Sequence, residues 1–73
     1  MKGYLPFRDY LKEKGLWLDW DDETEEYDVI RPMGYVNVVI TSLPAHIVRR
    51  DFDTAQSQVE TVMTMMDEWG YEP

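Results

Sequence analysis

Residues 16–41, LWLDWDDETEEYDVIRPMGYVNVVIT, alternate apolar and polar side chains in three short runs broken by two turn signals. The first run, 16–20, sets Leu16, Leu18 and Trp20 against Trp17 and Asp19. The second, 26–31, sets Tyr27 and Val29 against Asp28 and Ile30. The third, 35–41, is the most strand-like, rich in Tyr, Val, Ile and Thr; it sets Val36, Val38 and Ile40 against Tyr35, Asn37, Val39 and Thr41. A period of two places successive side chains on opposite faces of a half-buried strand. Residues 21–25 carry no apolar side chain and read as a hairpin loop. Pro32-Met33-Gly34 reads as a turn, because proline presets φ and glycine permits positive φ. The stretch predicts an antiparallel meander.

Helical signals flank it. Over 5–14, Phe7, Tyr10 and Leu11 share a face, Pro6 suits the first helical position, and Gly15 stands where a left-handed C-cap belongs, so that Leu16 can fold back on Leu11. Such a segment is too short to be stable alone and must dock. Residues 54–69 predict a longer helix, with Asp53 as N-cap, Gln56 completing a capping box and Gly70 as the stop. Its apolar arc is centred on Ala55, Val59, Val62, Met66 and Trp69, with Met63 and Met65 at its edges and Gln58 as the one polar residue inside it. The arc covers roughly 160°, wider than the ~100° that one-sided docking needs. Between the meander and this helix, 42–51 fits two readings. Ile47 and Val48 favour a fourth strand over 45–50 after a Ser42-Leu43-Pro44 loop, and the alternative is a short helix capped by Ser42. The fold class is therefore α+β: a short N-terminal helix, a three- or four-stranded antiparallel meander, and a C-terminal amphipathic helix on one sheet face.

The whole chain, 1–73, is small enough to be one domain, and it is acidic, with net charge −8 and a pI near 4.3. With 44% hydrophobic and 14% aromatic residues it lacks the composition of a disordered chain, so only 1–4 and 71–73 are expected to fray. Having no cysteine, it can form neither disulfides nor thiolate metal sites. No run approaches the ~18 apolar residues of a membrane span, and the start shows no secretory signal pattern, so a soluble protein of the cytoplasm is expected.

Chemistry is sparse. Asp19, Asp21, Glu23 and Glu25 alternate like the start of a calcium loop, but the sixth position is Thr24 and the twelfth is Ile30, where that loop needs Gly and Glu. His46 is the only histidine. Neither a phosphate-binding glycine loop nor a nucleophile motif is present, and carboxylates in a solvated hairpin lack the pocket that acid–base catalysis requires. The residues point to a non-enzymatic protein with no cofactor and no metal, and a small enzyme is the third of three readings.

The densest feature is charge. Seven of the ten residues from 19 to 28 are acidic (Asp19, Asp21, Asp22, Glu23, Glu25, Glu26 and Asp28), and Trp17 and Trp20 lie beside them on opposite faces of their strand. Such a surface repels nucleic-acid phosphates and anionic lipid and attracts a basic protein. Duplex DNA carries about one charge per 1.7 Å of axis, a density this hairpin approaches. A core role is expected for Phe7, Trp69 and one of Trp17 and Trp20; the other tryptophan, among acids, has the make-up of a binding hot spot. In composition and size, though in no motif, the chain resembles the small acidic inhibitors that phages encode against host enzymes and defence systems. That resemblance implies a nucleic-acid mimic on the basic groove of a DNA- or RNA-handling protein. The other reading is a structural protein that self-associates, as a two-fold homodimer, through Met63 and Met65 or the free sheet edge. Against it, Phe7 and Tyr10 can cover one edge of the arc.

Overall fold

A computed structural model describes residues 4–70. The ends 1–3 and 71–73 lie outside the described residues. Tyr4, expected to fray with them, instead opens the first helix, α1 (Tyr4–Glu13), and its ring lies 5.4 Å from that of Tyr27. Pro6 thus falls within the first turn, where a missing N–H still costs no helical bond. Gly15, at φ +76°, ends the helix as read: the Leu16 N–H donates to the Leu11 carbonyl at 2.8 Å and the Gly15 N–H to that of Lys12 at 3.1 Å.

The meander follows, with β1 (Trp17–Asp21), β2 (Glu26–Met33) and β3 (Val36–Pro44) in one antiparallel sheet of order β1-β2-β3. The second turn lies one step later than the proline suggested. Met33 pairs with Val36 across Gly34-Tyr35, and Gly34 alone takes positive φ, +66°. Pro32 is tolerated in the central strand because β1 reaches only to the Trp17–Ile30 pair, so β2 is itself an edge at Pro32.

In the register, Val29 faces Thr41 and Ile30 faces Val39, which leaves Ile40 as the extra residue of a bulge. The face assignment read for 35–41 therefore changes hand midway. Thr41 joins the helix-covered face, where its Oγ1 accepts a hydrogen bond from Gln58 Nε2 at 3.3 Å. That bond accounts for the one polar residue within the apolar arc of the last helix.

The fourth strand does not form. Ser42, Leu43 and Pro44 continue β3, and the chain then turns into α2 (Ala45–Arg50). Helical spacing seats Val48, fully buried, in the core; this packing overrides the strand preference of Ile47 and Val48. The last helix, α3 (Phe52–Glu68), begins two residues before the expected start. Its N-cap is Asp51, not Asp53: Oδ1 accepts the Thr54 N–H at 3.1 Å and Oδ2 the Thr54 hydroxyl at 2.7 Å. The earlier start brings Phe52 edge-on to Phe7 and Tyr10. At the other end Gly70, at φ +65°, terminates the helix as read.

The core is one cluster from every layer: Phe7 and Leu11 of α1, then Leu16, Val29 of β2, Leu43 of β3, Val48 of α2, and Ala55 and Val59 of α3. Met33 and Met66 are also buried. Two positions expected in the core are not buried: Trp69 is 71% exposed, and neither Trp17 nor Trp20, one of which is expected inside, is buried. Val62 and Ile40 are only half-buried. The missing fourth strand explains Trp69 and Val62, because a strand beside β3 would have covered the C-terminal half of α3.

Two titrating groups tie the ends of α3 and α1 to pH. The bonds from Thr54, first its hydroxyl and then its backbone N–H, hold the Asp51 carboxyl below the usual aspartate range. A depressed folded-state pKa gives stability that is present above the ordinary value near 4 and lost as pH falls through the lowered one. Asp51→Ala should therefore lower the unfolding midpoint at neutral pH and flatten the acid limb, read by denaturant titration across pH. Tyr10 behaves in the opposite sense. Burial, then the bond from its hydroxyl to Glu60 Oε2 at 3.0 Å and the Glu60 charge, push it up to about 12. Its stabilisation is complete below pH about 10 and lost as pH rises towards the folded-state value. Tyr10→Phe should remove part of the alkaline destabilisation of the parent while leaving the acid limb unchanged.

Candidate functional site

The β1–β2 hairpin carries the acidic segment. Its loop is 22–25, closed by the Asp21–Glu26 pair. Two bonds from the loop converge on Asp21, the Glu23 N–H onto Oδ1 at 2.9 Å and the Glu25 N–H onto the carbonyl at 2.8 Å. Glu25 takes φ +56°, the left-handed conformation that closes such a loop. Asp21 is thus a turn former as well as a charge.

The register sorts the candidate residues. Trp17, Asp19, Asp21, Glu26 and Asp28 occupy the sheet face opposite the helices, in cross-strand pairs Trp17–Ile30, Asp19–Asp28 and Asp21–Glu26. Two of these pairs set carboxylate directly against carboxylate. A hydroxyl relieves the first of them, as Ser42 Oγ donates to Asp28 Oδ1 at 2.7 Å. Asp22, Glu23 and Glu25 extend the same negative surface around the exposed loop. Among the described residues the one ion pair is Arg8–Asp9, at 3.5 Å, so no lysine or arginine neutralises any of the seven acids.

Trp20 parts company with the others. It lies on the helix-covered face, where its Nε1 donates to Asp22 Oδ1 at 2.7 Å and its ring centroid is 4.9 Å from that of Tyr27. The Arg49 guanidinium lies 5.7 Å from the Trp20 ring and 5.8 Å from that of Tyr27, and its Nη2 donates to Tyr27 Oη at 3.4 Å. Arg49 is thus spent on rings rather than on carboxylates, a long-range contact that nothing in the sequence marks. Trp20 is pinned. Trp17, on the open face, borders a shallow groove with Arg8, Lys12 and Leu16.

The self-association candidates also separate. Met63 packs against the core cluster, whereas Met65 is exposed. Met65 lines an apolar groove of about 420 Å³ with Val38, Val39, Ile40, Val62, Met66 and Trp69. His46 is exposed, and among the described residues no three His, Asp or Glu side chains come together as metal ligands. No described helix is long and apolar enough to cross a membrane. No protein-family model, curated protein or solved structure matches the chain.

Proposed function

We propose that the chain is a non-enzymatic interaction module whose β1–β2 hairpin binds a basic surface of another protein. We place that surface in the nucleic-acid groove of a DNA- or RNA-handling enzyme, where the module acts as an inhibitor in the cytoplasm of the producing or host cell. One observation carries the reading: seven carboxylates crowd one hairpin, two pairs of them face each other across the strands, and none has a cationic partner among the described residues. Like charges directly opposite destabilise a sheet. The arrangement therefore works against the fold, and a basic partner supplies the compensation the chain lacks. Trp17, exposed on the same face, adds the aromatic anchor such interfaces favour.

The test is capture from cells with the intact chain as bait, beside a variant in which Asp21, Asp22, Glu23 and Glu25 become Asn or Gln. The reading expects a basic protein on the parent only, released by added duplex DNA. Capture of an acidic protein, or equal capture by both baits, contradicts it.

A further inference from the structure

We propose that a second copy of this chain pairs with the free edge of β3, extending the sheet across a two-fold axis from three strands to six. Four observations converge there. First, β3 is an edge strand of nine residues, and among the described residues no turn, loop or cap backbone bond reaches it. Its outward N–H and carbonyl groups are a template for another strand. Second, the two edges are protected differently. β1 is five residues long and carries Asp19 and Asp21, whereas β3 has no charged residue at all. Of the usual guards against edge pairing, β1 has shortness and charge, whereas β3 has a bulge at Ile40 and a terminal Pro44 but no charge.

Third, the groove beside that edge is apolar and open. Val39 is 51% exposed and Trp69 71%, and among the described residues no charged side chain lines the groove. In a sheet continued antiparallel about a two-fold axis normal to it, both copies carry their helices on the same face. The partner's α3 then comes alongside Met65 and Trp69 and covers the groove. The copy occupies the place of the fourth strand that residues 45–50 do not supply.

Fourth, the electrostatics select this edge. Two chains of net charge −8 associate only where their charges stay apart. The hairpin's outer strand, with Asp19 and Asp21, lies at the opposite edge of the sheet, while Glu26 and Asp28 of β2 lie one strand in from β3, so that the two β2 strands of such a dimer are about 14 Å apart. With strands spaced about 4.8 Å apart, the two β1 strands of such a dimer are about 24 Å apart, roughly three screening lengths at physiological salt. Among the described residues no carboxylate lines the groove to hold a basic partner there, whereas an identical uncharged edge fits it. The inference is independent of the function proposed for the hairpin.

Sedimentation equilibrium of the full chain over the micromolar to millimolar range tests it, with Val39→Lys and Met65→Glu as variants. Both positions are exposed, so folding is checked separately by circular dichroism and the unfolding midpoint. The expected result is a dimer of the parent, tightened by salt, and a dissociation constant raised at least about tenfold in each folded variant. Val39→Lys lowers the net negative charge, so weaker association there does not come from greater overall repulsion between the two chains. The variant neutralised at Asp21, Asp22, Glu23 and Glu25 should dimerise at least as well as the parent, which keeps the two proposals separable. A parent that stays monomeric throughout, a larger oligomer, or a dimer unchanged in both folded variants overturns the proposal.

Discussion

Phe7→Ala should remove a large share of the protein's stability. Phe7 is fully buried, stacks beside Tyr10 with centroids 6.1 Å apart, and meets Phe52 edge-on at 6.3 Å. It is the bolt between α1 and the start of α3. Truncating a buried Phe to Ala costs about 3–5 kcal/mol, from lost transfer energy and the cavity left behind. A chain of this length holds about 4–11 kcal/mol in all, by the usual stability per residue. Since α1 has ten residues and cannot persist undocked, its loss also uncovers Leu11 and Leu16. Denaturant titration followed by circular dichroism measures this. Trp69→Ala provides the contrast: with Trp69 largely exposed, at dilutions where the chain is monomeric, it should shift stability by less than about 0.5 kcal/mol. Equal costs at the two sites would mean that the core is wrongly placed.

Neutralising the loop acids should have the second large effect, on binding and not on folding. In the variant Asp21→Asn, Asp22→Asn, Glu23→Gln, Glu25→Gln the net charge falls from −8 to −4. Each Asn keeps an amide oxygen where the carboxylate oxygen was, so the bonds from the Glu23 N–H to Asp21 and from Trp20 Nε1 to Asp22 are retained. Relief of the Asp21–Glu26 repulsion should leave stability equal or higher, by about 0.2–1 kcal/mol. Association with the basic partner should slow by about tenfold or more, with a smaller change in dissociation, because such charges chiefly steer encounter. Lost binding together with retained or raised stability is the signature of a surface kept for a partner.

Much of this was legible in the residues, and the failures share a cause. The hairpin, the Gly15 and Gly70 stops and the acidic face follow from period-two alternation and local backbone chemistry, which act within a few residues. Residues 45–50 did not yield, because Ile47 and Val48 fit a strand locally and only the seat for Val48 in the core decides for helix. Asp51 and Asp53 are two equally good caps in isolation; the reach of Phe52 to Phe7 selects the first. No glycine marks the bulge at Ile40, so the change of face along β3 was invisible. A helical wheel shows which way Trp69 points but not that the sheet stops short of it. In the site, alternation separated Trp17 from Trp20 correctly. The contact of Arg49 with Trp20 and Tyr27 joins residues more than twenty positions apart and had no local signal.

The central claim is that the β1–β2 carboxylates are a recognition surface. Its most direct test is the affinity of the captured partner for the parent chain and for the four-site variant, measured across a salt series on samples shown to be folded. The parent should bind tightly, with affinity that falls steeply as salt rises, and the variant should bind more weakly with a flatter dependence. Equal affinities with parallel salt dependence would contradict it.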